Sequence, residues 1–121
     1  MPIPILKQGN VLIASVQAAL TDQELLRLKD ELADKVGRFR SRGVIIDVTS
    51  LDVMDSFATR TLRSLAAATR LRGAETVIVG IQPDVAITLV QLGLTLEGVA
   101  TALDLEEGLD LLSRPARDPR R

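Results

Sequence analysis

Gly43-Val44-Ile45-Ile46-Asp47-Val48-Thr49-Ser50-Leu51-Asp52-Val53-Met54-Asp55-Ser56 is the stretch on which the fold turns. Val44 to Val48 is a β-branched run that does not alternate with polar residues, the pattern of a strand covered on both faces. Such a strand belongs in the middle of a parallel sheet. Thr49 to Asp55 then reads as a loop, and Ser56 to Arg72 as a helix, with Gly73 placed for a left-handed C-terminal cap. A buried strand, a polar loop and a helix in succession predict an α/β fold.

Upstream, Ile3 to Leu6 and Val11 to Val16 read as two short strands joined through Lys7-Gln8-Gly9-Asn10, in which Gly-Asn is a hairpin signal. Thr21-Asp22-Gln23-Glu24 has the spacing of a capping box, so a helix should begin there. Leu25, Leu28, Leu32, Val36 and Phe39 share one face of it at 3.6 residues per turn, and Gly43 is expected to close the segment. Downstream, Thr76 to Val79 supplies the next buried strand. Pro83 suits the first turn of a third helix ending at Gly93, and a short strand follows near Val99 to Ala102. Asp104 can cap a last helix carrying Leu105, Leu109 and Leu112. The expectation is one domain over residues 1–112: a mixed, mostly parallel sheet of about five strands with about four helices and an antiparallel N-terminal hairpin. Ser113 to Arg121 has no apolar periodicity and is expected to be a disordered basic tail.

Composition narrows the function. The 121 residues are 46% hydrophobic, enough for one core, and no run approaches the roughly 18 apolar residues of a spanning helix. Met1-Pro2-Ile3-Pro4 has neither the basic region nor the apolar run of a signal peptide, so a cytoplasmic protein is expected, with no membrane association. There is no Cys and no His, which removes thiolate chemistry, the usual general base and the commonest zinc ligand. The net charge is −1 and the aromatic residues are Phe39 and Phe57 alone, leaving neither an electrostatic footprint nor a stacking platform for nucleic acid. No enzymatic activity, cofactor or metal is expected.

The polar residues gather between the central strand and the following helix, the edge where open α/β sheets place their sites. Ser56 or Asp55 at that position is, on spacing alone, a helix cap. Asp47, Asp52 and Asp55 could instead mark a receiver domain phosphorylated on aspartate. That chemistry needs a lysine beyond the acidic loop, and Lys7, Lys29 and Lys35 all precede it. A serine hydrolase would need a G-x-S-x-G elbow and a base beside Ser56, and neither is present. Ser56 therefore reads as a substrate. Arg60, Arg63 and Arg70 form a one-signed stripe along the helix that follows, either a solvated face or a basic docking surface beside Ser56.

The span from Pro4 to about Leu112 resembles the STAS domain family, the fold of anti-sigma-factor antagonists and of the stressosome scaffold. The resemblance is carried by Ile3 to Lys7, Gly43 to Ser50, Asp55-Ser56-Phe57, Gly80 to Gly93 and Thr101 to Leu109. The Gly80 to Gly93 segment looks like the stressosome branch. Stand-alone antagonists typically follow the serine with Ser-Gly or Ala-Gly, where this chain has Phe57-Ala58. The resemblance implies a non-enzymatic scaffold and antagonist, built into a large oligomer with an RsbR-type STAS partner. It would sequester an RsbT-type serine kinase and release it on phosphorylation of Ser56. Asp52, Asp55, Phe57, Thr59, Arg60 and Arg63 would form the switch loop and docking surface. The RsbR-type partner carries a sensory module, which this chain is not expected to have. The alternative is a stand-alone anti-sigma-factor antagonist regulated by serine phosphorylation.

Overall fold

The computed structural model describes residues 3–17 and 20–114. The elements run β1 (Ile5–Gln8), β2 (Val11–Ser15), α1 (Asp22–Phe39), β3 (Gly43–Asp47), α2 (Ser56–Leu71), β4 (Glu75–Val79), α3 (Pro83–Gln91), β5 (Ala100–Ala102) and α4 (Leu105–Ser113). The five strands form one sheet in chain order. β1 and β2 are antiparallel, while β2, β3, β4 and β5 are mutually parallel. This is the expected α/β arrangement, with β3 at its centre.

The non-alternating β3 is covered on both sides. Val44 and Ile46 face a core with Leu28, Leu32 and Val36 of α1, Leu62 and Leu65 of α2, and Val85 and Leu89 of α3. Ile45 faces the opposite layer with Val11, Ile13, Val77 and Val79, under Leu109 and Leu112 of α4. Gly108 lets α4 approach: a Cβ there would lie 2.8 Å from a Val79 methyl. Each of the core side chains named on β3 is completely excluded from solvent, which is why none of them is polar.

Local signals placed several boundaries. Thr21 caps α1 in a complete capping box, its hydroxyl accepting from the Glu24 amide at 3.1 Å while the Glu24 carboxylate accepts from the Thr21 amide at 3.1 Å. The bond from the Thr21 amide holds the Glu24 carboxyl below the usual range. Gly73 follows α2 at φ +90, as its position suggested.

Tertiary contacts moved others. β1 runs on through Lys7 and Gln8, which pair with Leu12 and Val11, so the hairpin turn shrinks to Gly9-Asn10. α1 ends at Phe39 with Arg40 as its cap, and Gly43 instead opens β3. The glycine there serves packing, because a Cβ would come within 2.7 Å of Leu112 on α4. Phe39, expected in the core, is exposed in the last turn of α1, where it lies under the cations of Lys7, Lys35 and Arg38 at 5.8–5.9 Å from its ring centre. α4 continues through Ser113, whose hydroxyl bonds the Asp110 carbonyl at 2.8 Å, so the last helix takes the first residue of the expected tail. Arg114 follows, its guanidinium paired with Asp110 at 2.9 Å, and residues 115–121 of that tail lie outside the described residues.

Candidate functional site

The loop from Val48 to Asp55 leaves the C-terminal end of β3 and is pinned at both ends. Asp47 accepts from the Thr49 amide at 2.9 Å and from the Thr49 hydroxyl at 2.6 Å, a local side-chain turn that redirects the backbone out of the strand. Gln82 donates its side-chain amide to the Thr49 carbonyl at 2.7 Å. Leu51 and Met54 are buried in the α1/α2 core, and the Leu51 amide bonds the Val48 carbonyl at 2.9 Å. Between these anchors Asp52 is exposed, and Val53 stands 75% exposed although apolar.

Asp55 is the N-cap of α2. Its carboxylate accepts from the Ala58 amide at 2.7 Å, and Ser56 is the first helical residue. The two candidates for the cap were adjacent, and the bond from the Ala58 amide assigns the role to Asp55. Asp55→Ala is expected to lower stability by about 1 kcal/mol, read as a shifted urea midpoint with an unchanged slope. Ser56 is thereby released from capping. It is exposed, and its hydroxyl has no hydrogen-bond partner among the described residues.

The remaining residues of the expected docking surface divide. Arg60 is exposed one turn beyond Ser56, and Phe57 and Arg63 are half-buried. Thr59 is not part of a surface: it is wholly buried, and its hydroxyl bonds the Asp55 carbonyl at 3.0 Å. Thr49 is exposed, but its hydroxyl serves Asp47. Arg70 leaves the expected basic stripe, because its guanidinium donates to the Gly98 carbonyl. Arg60 and Arg63 carry what remains of it near Ser56.

Beside this turn opens a cavity of about 410 Å³ walled by Leu25, Val48, Leu51 and Leu62, with Val53 at its mouth and Asp22, Asp52 and Asp55 contributing carboxylates. The sequence of the loop alone did not announce it, since its walls combine the β3–α2 loop with α1, α2 and the segment between β2 and α1. The one signal was the apolar content of the loop, Leu51, Val53 and Met54, of which Val53 stays exposed. Among the described residues no group of three or more His, Cys, Asp or Glu side chains is placed to hold a metal ion, and no helix is long and apolar enough to cross a membrane.

Residues 2–108 match the STAS domain family. The chain is similar to Moorella thermoacetica RsbS, solved as a serine-to-glutamate variant, at 39% identity and a TM-score of 0.78, over 91% of this chain and 93% of that one. A chain from the stressosome, described as a signal integration and transduction hub, matches at 37% identity and a TM-score of 0.73, over 90% of this chain and 95% of its own. Among curated proteins, the RsbT co-antagonist protein RsbRA of Bacillus subtilis is 30% identical over 107 residues. That match takes in 88% of this chain and 38% of RsbRA, so the chain spans less than half the length of the curated relatives it matches.

Proposed function

The chain belongs to the STAS domain family, and we propose that it is a non-enzymatic scaffold and antagonist in a stress-signalling complex, holding a switch serine kinase and releasing it when Ser56 is phosphorylated. The observation that carries this reading is the division of labour at the start of α2: Asp55 supplies the cap, and Ser56 is left exposed with its hydroxyl unused. A kinase can reach such a serine without unwinding the helix.

The chemistry of the modification supports a switch at the surface. A phosphate at the first turn gains about 0.3–1 kcal/mol from the helix dipole. Against this, a phosphate about 5 Å from one carboxylate, at an effective dielectric of about 20, is repelled by about 3 kcal/mol per charge pair before salt screening. With Asp55 next to Ser56 and Asp52 in the same loop, repulsion wins, and the phosphate turns outward, toward Arg60 and any docked partner. The apolar cavity ringed by Asp22, Asp52 and Asp55 suits a partner segment that combines apolar and basic side chains.

Similarity to RsbS, to a stressosome chain and to the RsbR co-antagonists supports an RsbR-type STAS partner, an RsbT-type kinase and a large assembly as the setting. The test is to incubate the chain with an RsbT-type kinase and ATP, alone and with an RsbR-type partner, then map phosphosites and measure mass in solution. Modification at Ser56 together with a large co-assembly is the expected result. A monodisperse monomer under both conditions would sink the scaffold reading and favour a stand-alone anti-sigma-factor antagonist, which pairs with its kinase without assembling.

A further inference from the structure

At the end of the parallel strands remote from Ser56, a second cavity of about 410 Å³ opens between the C-terminal ends of α1 and α2. Arg40, Arg42 and Arg72 all line it. The ion pairs among the described residues engage Lys35, Arg38 and Arg114, so none of these three guanidiniums is neutralised there. The two helix ends contribute roughly half an elementary negative charge each. Three full positive charges outweigh that, and the cavity keeps a net positive field.

Basic residues at helix C-termini are common complements to the dipole, and that alone would not make a site. The floor of the cavity is what differs. Ser41 is 3% exposed, and its hydroxyl is the one buried side-chain polar atom among the described residues with no hydrogen-bond partner. A buried hydroxyl left unpaired is destabilising unless something completes it. Arg40, immediately before it, is the one non-glycine among the described residues in the left-handed region, at φ +50. That conformation is the left-handed cap that ends α1 and leads the chain into the cavity wall. Arg72 is seated where Gly37 has no side chain, its guanidinium occupying the space a Cβ would take.

We propose that this cavity binds a phosphate-bearing small molecule, with Arg40, Arg42 and Arg72 holding the phosphoryl oxygens and the Ser41 hydroxyl donating to one of them. Planar guanidiniums match phosphoryl oxygens with paired donors. A single carboxylate would satisfy one guanidinium and leave the others unbalanced, whereas a phosphate or diphosphate carries two or three charges. The volume is at the small end of ligand sites, which suits a mono- or diphosphate group in preference to a whole dinucleotide. The site is independent of Ser56 and of the kinase reading.

The test uses the full isotope-labelled chain titrated with inorganic phosphate, pyrophosphate and ATP, against sodium chloride at matched ionic strength. Saturable amide shifts at Arg40, Ser41, Arg42 and Gly73 are expected. Tighter binding of pyrophosphate would assign the site to free polyphosphate, and tighter binding of ATP to a nucleotide. Arg72→Gln should weaken the better probe by about tenfold or more. Gly37→Ala should weaken it similarly by displacing the Arg72 guanidinium, while the helix itself gains propensity. Ser41→Ala should weaken it several-fold while the melting temperature of the free protein holds or rises, an outcome a purely structural serine would not give. Shifts that chloride reproduces, shifts seen only with an acidic peptide, or equal affinity in Arg72→Gln would overturn the proposal.

Discussion

Ser56→Asp is expected to weaken retention of an RsbT-type kinase by about tenfold to a hundredfold, while the melting temperature stays within a few degrees of the unmodified chain. The small stability effect follows from position. An aspartate at the first helical residue is exposed, and solvent and salt screen both its gain from the dipole and its repulsion by Asp55 to about 1 kcal/mol or less. Retention is different, because a docked partner excludes water and the new charge must be buried against it or pushed aside. Ser56→Ala should retain the kinase as the unmodified chain does and resist release by ATP, since it removes only the acceptor of the phosphoryl group. Pull-down of kinase on the immobilised chain, with and without ATP, measures all three. Equal retention by Ser56→Asp, Ser56→Ala and the phosphorylated chain would show that Ser56 is not the switch.

Gly80→Ala is expected to cost about 2–5 kcal/mol, the largest stability change predicted for a single methyl group in this chain. Gly80 leaves β4 at φ +80, and a Cβ built on it collides with the Thr49 hydroxyl and lies 3.2 Å from the Thr49 Cα. The left-handed conformation costs a non-glycine residue about 1–2 kcal/mol, and the forced separation from Thr49 adds overpacking of about 1–3 kcal/mol. Gly73→Ala is the control: it shares a positive φ of +90 but has nothing within 4 Å of the added Cβ, so it should show the conformational cost alone. Urea unfolding of the two variants separates the contributions. Because Thr49 is the residue that Asp47 and Gln82 hold at the root of the loop, Gly80→Ala should also weaken kinase retention without touching Ser56.

The resemblance-bearing Gly80 to Gly93 segment thus has a physical role that its own residues do not disclose. Gly80 and Gln82 act on Thr49, more than 30 positions away, and neither carries a local signal of that contact. The same holds for the two cavities. One draws its walls from the β3–α2 loop, α1 and α2, and the other joins the ends of two helices. Arg70 and Phe39 each matched a helical face in the chain and yet face a different environment. Helical periodicity assigns a direction around the axis, and what stands in that direction depends on the neighbouring layers.

What the sequence by itself determined are the features whose causes lie within a few residues: the capping box at Thr21, the β-branched β3, the cap at Asp104, the left-handed Gly73, and the alternation of strands and helices that makes an α/β sheet. The missing Cys, His and late lysine likewise removed whole classes of chemistry without any coordinates. Spacing left Asp55 and Ser56 as adjacent candidates for the cap of α2, and the folded chain gives the role to Asp55, whose carboxylate takes the Ala58 amide while Leu51 and Met54 anchor the loop in the core. Capping and phosphoryl transfer would draw on the same serine oxygen, so that one-residue difference is what leaves the Ser56 hydroxyl exposed and unused.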